Sequence, residues 1–306
     1  MRPLLFSAVL SLAIVGCAKT PEVVEGSNPA PAEPVVEAPA ETAPATSAAV
    51  SRTILADDIA WTPFKEDDPD GIQIHILTGN PQEGPFVAVV KIPANHTVGL
   101  HVHSANFVGA ALTEGFAHWA TDGEAEALPI GSAFYQPGGE PHNDACVGTE
   151  PCVLLAFFDN KMDSVPAEAV VENPQLRVVR SDAIEWKLFN PKMPNGPQIA
   201  MIKGSPAEDL MWSALVKFPA GMETNVHTHS ANFAGGLISG PHSRGSGPDS
   251  LQAMTPGSVW WEVKNTAHME KCGEEAPCIF VGTMDGKMDQ SAVEIKAPEE
   301  APAPAE

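Results

Sequence analysis

The chain contains the segment His101-Val102-His103-Ser104-Ala105-Asn106-Phe107, which recurs later as His227-Thr228-His229-Ser230-Ala231-Asn232-Phe233. The two copies lie 126 residues apart. A repeat this long that occurs twice indicates duplicated domains and not a solenoid of short units. We therefore divide the globular part into two domains, residues 51–175 and residues 176–296.

The shift of 126 residues extends well beyond the histidine stretch. It carries Gly131 to Gly257, His142 to His268, Cys146 to Cys272, Cys152 to Cys278, and Lys161-Met162-Asp163 to Lys287-Met288-Asp289. Because glycine, histidine and cysteine all recur in register, the repeat covers most of each half.

Each half has the pattern of short strands. Residues 85–91 and 211–217 are rich in β-forming residues, and each run is followed by Pro-Ala and a turn. No segment of the globular part has a convincing helical period with caps. Short strands separated by Gly and Pro predict an all-β fold, with an antiparallel barrel or jelly roll in each half.

The histidine pairs can be placed on such strands. Residues i and i+2 of a strand face the same way, so His101 and His103 share a face, as do His227 and His229. Small residues such as Gly109 and Gly235 follow on the same face. We expect them to leave room for a ligand beside the histidines.

These motifs resemble those of the cupin superfamily. Residues 131–142, Gly-Ser-Ala-Phe-Tyr-Gln-Pro-Gly-Gly-Glu-Pro-His, match the second cupin motif, and His101-x-His103 looks like the start of the first. The second half keeps Gly257 and His268 but has Val263 and Asn265 in place of the proline and the second glycine. The duplicated Ser-Ala-Asn-Phe also resembles the bicupin family called domain of unknown function 4437.

The resemblance implies two tandem cupin barrels, each a jelly roll or double-stranded β-helix with a metal inside. The implied ligands are His101, His103 and His142 in the first half and His227, His229 and His268 in the second. Three imidazoles with open positions suit Fe, Zn, Ni or Cu as a divalent ion, and ligand type alone does not choose among them.

Many cupins also supply a glutamate four or five residues after the second histidine, and both copies here lack it. Phe107 and Val108 stand there in the first half, and Phe233 and Ala234 in the second. We therefore expect no three-histidine, one-glutamate site. Asn106 and Asn232 are either donors that support the ligands or turn residues.

Nearby carboxylates do not identify a general base. They are Glu114 and Glu140 in the first half and Glu262 and Glu270 in the second, with Asp144 at the position of Glu270. No catalytic residue is assigned. The remaining histidines, His75, His96, His118 and His242, are expected at the surface or rim, and one of Trp260 and Trp261 should face inward.

Cysteine spacing indicates an oxidising compartment. Cys146-x5-Cys152 and Cys272-x5-Cys278 each bracket a Gly/Glu/Pro turn between strands, which predicts two short-loop disulfides. A cysteine metal site is the alternative, but no second pair or nearby histidine completes one.

The N-terminus has the features of an exported lipoprotein. Arg2 precedes an apolar run of about twelve residues, which is too short to span a bilayer. The run ends in Ile14-Val15-Gly16-Cys17, which resembles a bacterial lipobox. We predict a signal peptide over residues 1–16, lipidation of Cys17, and a Pro/Ala/Glu-rich linker over residues 17–50, with a disordered tail over residues 297–306. Ala18 after the cysteine favours the periplasmic face of the outer membrane.

Composition limits the partners. The formal charge of −22 argues against nucleic acid and against electrostatic docking on anionic lipid, so contact with the membrane is expected through the lipid anchor alone. A small-molecule ligand or substrate is expected, and an edge strand is compatible with a homodimer.

Three functions remain open at this point. The first is a metal-dependent enzyme of the dioxygenase type that acts on a small organic molecule. The second is an envelope protein that binds or senses a metal or small ligand without turnover. The third is a structural envelope component whose histidines are relics.

Overall fold

The computed structural model describes residues 50–293, which belong to one compact unit. The predicted signal peptide, Cys17, nearly all of the linker and the tail lie outside the described residues. Within residues 50–293, none of the helices is both long and apolar enough to cross a membrane.

The first half contains twelve strands: β1 Arg52–Ile54, β2 Thr62–Pro63, β3 Gln73–Gly79, β4 Phe86–Ile92, β5 His96–Thr97, β6 His101–Val102, β7 Phe107–Ala111, β8 Phe116–Trp119, β9 Ala133–Gln136, β10 Asn143–Cys146, β11 Cys152–Phe158 and β12 Val165–Pro166.

The second half contains another twelve: β13 Arg177–Val179, β14 Lys187–Leu188, β15 Gln198–Lys203, β16 Trp212–Phe218, β17 His227–Thr228, β18 Phe233–Ser239, β19 His242–Gly245, β20 Gln252–Ala253, β21 Val259–Glu262, β22 Met269–Cys272, β23 Cys278–Met284 and β24 Ser291–Ala292. Three one-turn 3-10 helices occur at Ala56–Asp58, Ser181–Ala183 and Pro248–Ser250.

The strands form two barrels of the same design. In barrel 1 a seven-stranded antiparallel sheet has the order β13-β9-β7-β11-β4-β3-β2, and it is completed by a three-stranded sheet, β5-β10-β8, and the pair β12-β6. Barrel 2 has the corresponding order β1-β21-β18-β23-β16-β15-β14, with β20-β19-β22 and β17-β24. The all-β prediction of two tandem jelly-roll barrels is confirmed.

The long strands are apolar throughout because alternate residues face two different buried regions. In β4, Phe86, Ala88 and Ile92 point into barrel 1, whereas Val87 and Val89 point out of it. The outward residues are not solvated, because they join a core shared with Leu215 and other residues of barrel 2. Both faces of the large sheets are therefore buried, as continuous apolar runs require.

Each half lends its first strand to the other barrel. β1 pairs with β21 of barrel 2, and β13 pairs with β9 of barrel 1. The proposed division into residues 51–175 and 176–296 stays a prediction, but the two barrels are not built from uninterrupted halves. This reciprocal exchange and the shared core join the barrels into one body.

Both predicted disulfides are present. Cys146–Cys152 joins β10 to β11, and Cys272–Cys278 joins β22 to β23, with Cα–Cα separations of 5.5 and 5.8 Å. All four cysteines are buried. Each disulfide links two strands that are consecutive in the chain, and the first of them follows directly after the third histidine of its barrel.

Candidate metal centres

The six predicted ligands form two buried groups. His101, His103 and His142 offer ring nitrogens that lie within 4.8 Å of one another, and His227, His229 and His268 do the same in barrel 2. The grouping results from strand geometry. His101 and His103 share a face, and His142 is brought beside them by backbone pairing of His101 with His142.

Hydrogen bonds to backbone carbonyls fix the tautomer of each of the three predicted ligand rings in barrel 1. Nδ1 of His101 donates to the Gly99 carbonyl at 2.8 Å, and Nδ1 of His142 donates to the Glu140 carbonyl at 3.1 Å. Nδ1 of His103 donates to the Asp163 carbonyl. With the proton held on Nδ1, each neutral ring turns an Nε2 lone pair toward the centre.

This arrangement fits a metal, because the Nε2 atoms that face the centre have no hydrogen bonds within the described chain that would compete with metal binding. Nε2 of His101 and Nε2 of His103 are 3.2 Å apart, and with both protons on Nδ1 no hydrogen bond joins them. Nε2 of His142 is buried and has no hydrogen-bond partner among the described residues. Three converging lone pairs in a buried site are a donor set for a divalent cation.

Burial favours the neutral form of the second and third histidines of each triad. Desolvation lowers the pKa of His142 to about 3, and it also lowers the pKa of His103. In barrel 2 desolvation lowers the pKa of His268 to about 3 and that of His229 below its usual range. Neutral imidazole is the form that ligates a metal, so the environment favours binding.

Barrel 2 repeats the same ligand geometry. Nδ1 of His227 donates to the Asn225 carbonyl at 2.7 Å, Nδ1 of His268 to the Thr266 carbonyl at 3.1 Å, and Nδ1 of His229 to the Asp289 carbonyl. Nε2 of His268 is also buried without a partner among residues 50–293.

The repeated Lys-Met-Asp segment has a role that sequence analysis did not assign. Besides its carbonyl bond to His103, Asp163 accepts a hydrogen bond from the Ser104 amide at 2.7 Å through Oδ1. Asp289 accepts the matching bond from the Ser230 amide at 2.8 Å. These aspartates hold the loop that orients the second histidine of each barrel.

The asparagines of the repeated stretch are structural. Asn106 Nδ2 donates to Asp159 at 2.6 Å, and Asn106 Oδ1 accepts from the Gly138 amide at 3.0 Å. Asn232 pairs with Asp285 in the same way at 2.6 Å. Of the two interpretations left open, these contacts favour turn residues that clamp loops.

Asp144 places a carboxylate beside the first triad. Its Oδ2 lies 3.6 Å from Nε2 of His101 and 3.8 Å from Nε2 of His142. Burial alone would raise the pKa of Asp144, but the charge and hydrogen bond of His118 hold it well below its usual range. This carboxylate lies on β10, outside the positions after His103 where the sequence was searched for a glutamate.

His118 and His242 are buried inside the barrels, which corrects the prediction of rim histidines. His118 stacks on Phe134 with ring centroids 3.8 Å apart, and its Nδ1 bonds to Asp144 Oδ1 at 2.7 Å. His242 stacks on Phe280 at 5.6 Å, and neither of its ring nitrogens has a partner among the described residues. His75 and His96 are only partly buried, in agreement with the prediction for them.

Barrel 2 has an arginine where barrel 1 has His118. Arg244 pairs with Glu270 and, at 3.1 Å, with Glu262. Burial raises the pKa of Glu262, whereas for Glu270 the effect of burial is outweighed by the charge of Arg244, which lowers the pKa. Glu114 is exposed, and the Glu140 side chain accepts from the Gln175 amide, so neither carboxylate is part of the triad.

Aromatic rings fill the space expected beside the small residues. A side chain at Gly109 would collide with Phe134, and one at Gly235 with Trp260. The expectation that these glycines leave room for a ligand is therefore wrong. Trp260 is the inward member of its pair, as predicted, and Trp261 is only partly buried.

The cavities beside the two triads differ in size. In barrel 1 a cavity of about 90 Å³ adjoins His101, His103 and Asp144 between apolar walls. In barrel 2 a cavity of about 260 Å³ adjoins His227, His229 and Glu270. Its walls include Met193, Met222, Met284 and Met288.

Comparisons with known proteins agree with this architecture. The family described as Domain of unknown function (DUF4437) matches residues 163–290. No curated protein matches the sequence. Among solved structures, a protein of Nostoc punctiforme described as a "putative dioxygenase" is similar with a TM-score of 0.64 and 11% identity over 83% of this chain and 89% of that chain.

Two oxalate decarboxylases are also similar in fold. The Lactobacillus farciminis enzyme has a TM-score of 0.51 and 12% identity over 79% of this chain and 88% of that chain. The Bacillus subtilis enzyme, described with Mn(II) centres, has a TM-score of 0.50 and 14% identity over 80% of each chain. At these identities the likeness concerns the fold. The chain has the two-barrel fold of these solved structures, and its residues 163–290 match the DUF4437 family.

Proposed function

We propose that this protein is an envelope-anchored bicupin that binds a divalent transition metal in each barrel and acts as a metal-dependent oxidoreductase of the dioxygenase type on a small organic molecule. The observation that carries the proposal is the twofold occurrence of three buried imidazoles with Nδ1 bonded to backbone carbonyls and Nε2 directed inward.

The donor atoms of the triads indicate which metals suit the sites. Three neutral imidazoles suit Fe, Zn, Ni and Cu. The carboxylate of Asp144 adds an oxygen donor near the first triad, which brings Mn into consideration. Of these ions, iron is the one we expect in dioxygenase-type chemistry.

The protein residues would hold the metal and shape the surrounding space. A bound divalent ion would supply a Lewis acid and redox centre. The histidines would hold it through Nε2, and the loops containing Asp163 and Asp289 would keep the second histidine of each barrel oriented. The apolar walls of the cavities would exclude bulk water from the ligand.

A binding protein without turnover is the second candidate, and a specific observation favours it. Asp144 and Glu270, the carboxylates beside the triads, are each engaged with a buried partner, His118 for Asp144 and Arg244 for Glu270. Neither carboxylate is therefore free to act as a general base without giving up that partner. A metal or small-ligand sensor would need no such base.

Oxygen consumption separates the two candidates. We would load the full-length chain with Fe(II) and with Mn(II) and follow oxygen in the presence of thiols, diketones and dicarboxylic acids. An enzyme predicts oxygen uptake that matches substrate loss and disappears in His227→Ala/His229→Ala. Compounds that raise the melting temperature of the metal-loaded protein without oxygen uptake or substrate loss would support the binding protein.

The cellular location is part of the proposal. A lipid on Cys17 would anchor the barrels at the periplasmic face of the outer membrane, and the disulfides fit an oxidising compartment. Homodimer formation through an edge strand also remains a proposal.

A further inference from the structure

Lysine side chains lie over aromatic rings at repeated positions of the two barrels. Lys91 Nζ is 4.5 Å from the ring centroid of Trp61, and Lys217 Nζ is 4.7 Å from that of Trp186. The repeat relates these pairs, because the two lysines are 126 residues apart and the two tryptophans 125. An ammonium group in this position is attracted by the electron-rich face of the ring. The fold therefore keeps this contact in both barrels.

A third lysine makes such a contact at one of two equivalent places. Lys203 of β15 has its Nζ 4.1 Å from the ring centroid of Tyr135 on β9. The residue equivalent to Lys203 is Thr78, at a shift of 125, and the residue equivalent to Tyr135 is Trp261, at a shift of 126. Among residues 50–293, no lysine or arginine lies over the Trp261 ring. One ring of this equivalent pair thus has a cation, and the described chain supplies none to the other.

Strand pairing shows that the two places are equivalent in the structure. In β3 the pairing register shifts just before Thr78, and in β15 it shifts just before Lys203. Thr78 is then paired with Val87, and Lys203 with Ser213, which is 126 residues from Val87. β3 contacts β21 of the other barrel, as β15 contacts β9. Thr78 therefore lies where a lysine would reach the Trp261 ring.

A cavity lies where that ammonium group would be. Its volume is about 160 Å³, and both Thr78 and Trp261 line it. It lies between the barrels, since its walls include Phe86 and Phe157 of barrel 1 as well as Thr283 of barrel 2. We call it the interbarrel cavity. None of the six triad histidines is among the described residues that line it, so it is separate from both candidate metal centres.

The wall of the interbarrel cavity carries a negative charge beside the ring. Asp285 lines the cavity, and among residues 50–293 no cationic side chain lies within 4.0 Å of its carboxylate. The two carboxylate oxygens accept hydrogen bonds from the backbone amide and side chain of Asn232, at 2.8 and 2.6 Å. These bonds fix the carboxylate on the wall. A cation in the cavity would therefore meet both an aromatic face and an opposite charge.

We propose that the interbarrel cavity is a binding site for a small alkylammonium ion, which lies over Trp261 as the Lys203 ammonium lies over Tyr135. The indole ring supplies cation–π attraction, and Asp285 supplies the opposite charge. A volume of about 160 Å³ accommodates a free amine with a short alkyl chain and not a polymer. The formal charge of −22 also attracts cations to the protein in preference to anions.

The test uses n-butylammonium, which has the ammonium group and alkyl chain of a lysine side chain, and n-butanol as its neutral analogue. Each is added to the full-length chain, and the indole N–H signal of Trp261 is followed by proton–nitrogen correlation NMR. A Trp261→Phe variant assigns this signal among those of the six tryptophans. Because Trp261 lines the cavity, its signal reports this site and not a triad. We expect n-butylammonium to shift the signal saturably and n-butanol to bind at least about threefold more weakly.

Transplanting the lysine tests the proposed equivalence. Thr78→Lys supplies an ammonium group from the chain itself, so it should shift the Trp261 signal without ligand and weaken n-butylammonium binding about tenfold or more. Thr78→Val is the matched control, and it should bind n-butylammonium within about threefold of the parent. Asp285→Asn removes the charge on the wall and should weaken n-butylammonium binding about threefold while leaving n-butanol binding unchanged.

The outcomes separate the proposal from its failure. Equal binding of the two compounds to the parent, or a Trp261 signal that neither compound shifts, would overturn it. So would n-butylammonium binding that both Thr78→Lys and Asp285→Asn leave unchanged, or that Thr78→Val loses as fully as Thr78→Lys. Cation-selective binding that either charge variant weakens and Thr78→Val retains would support it. None of these results depends on metal at the triads, so failure here would leave the proposed function intact.

Discussion

His101 and His142 lie on different segments of barrel 1 and are joined by two backbone hydrogen bonds, each with an N–O distance of 2.9 Å. His227 and His268 form the same pair of bonds in barrel 2. The first and third ligands of each triad are thus brought together by strand pairing and not by the metal. The second ligand follows because it is two residues from the first.

Removal of metal should therefore leave the fold intact. We expect a chelator to lower the melting temperature, because a bound ion stabilises by about 3 kcal/mol when its free concentration is a hundred times its Kd. The far-UV circular dichroism should keep its β signature. Cooperative loss of that signature on chelation at 25 °C would contradict a site assembled by the backbone.

The buried pair in barrel 2 should be important for stability. Arg244 is nearly inaccessible and neutralises Glu270, so Arg244→Met leaves an uncompensated buried charge and should cost about 3–5 kcal/mol. Lys271→Ala is the matched control on the same strand pair. Lys271 and Glu223 are 47% and 45% exposed, so losing this pair should cost less than about 1 kcal/mol. Urea unfolding gives the free energy of unfolding of both variants. Equal losses would contradict the larger contribution expected from the buried pair.

His242 should make stability depend on pH. Desolvation lowers its pKa to about 4, although Glu270 opposes this shift and Arg244 adds to it. The unfolded chain titrates near 6.5, so between pH 6.5 and 4 it binds more protons than the folded chain. The stability present above pH 6.5 is therefore lost as the pH falls through this window.

His242→Phe removes this effect and places at this position the residue found at Phe116 of barrel 1. We compare the free energy of unfolding of the variant with that of the parent at each pH. The variant's advantage should be about 2 kcal/mol larger at pH 5 than at pH 7.5. Urea unfolding at the two pH values gives the comparison. The same difference at both pH values would show that His242 does not titrate in this way.

Lipid attachment is predicted at Cys17. In a bacterial host, Cys17→Ser should abolish incorporation of labelled palmitate and release the chain from the membrane fraction. Cys146→Ala/Cys152→Ala keeps Cys17 and should remain labelled and membrane-bound. Labelling of Cys17→Ser equal to that of the parent would contradict the lipoprotein prediction.

The sequence repeat made much of this architecture predictable. His101, His103 and His142 could be grouped because each recurs 126 residues later, and Cys146 and Cys152 could be paired for the same reason. The exchange of β1 and β13 could not be predicted in this way. Each of these strands is only three residues long. The barrel with which it pairs depends on long-range packing, which a local sequence pattern does not indicate.

Two missed residues did leave a signal in the sequence. Asp144 lies two residues after His142, so the i, i+2 rule applied to His101 and His103 also places Asp144 on the face of the third ligand. His118 and His242 lie 124 residues apart, whereas the shift of 126 pairs His118 with Arg244. The shift of 126 would have shown that His118 and Arg244 occupy matching positions and that Asp144 and Glu270 do as well.

Metal content measured by inductively coupled plasma mass spectrometry shows whether each barrel holds a divalent metal. It would be measured for the full-length chain, for His101→Ala/His103→Ala, for His227→Ala/His229→Ala, and for His75→Ala/His96→Ala as a control outside the triads. We expect two equivalents of divalent metal in the parent and the control and one in each triad variant. A parent that stays metal-free after reloading, or triad variants that retain both equivalents, would contradict it.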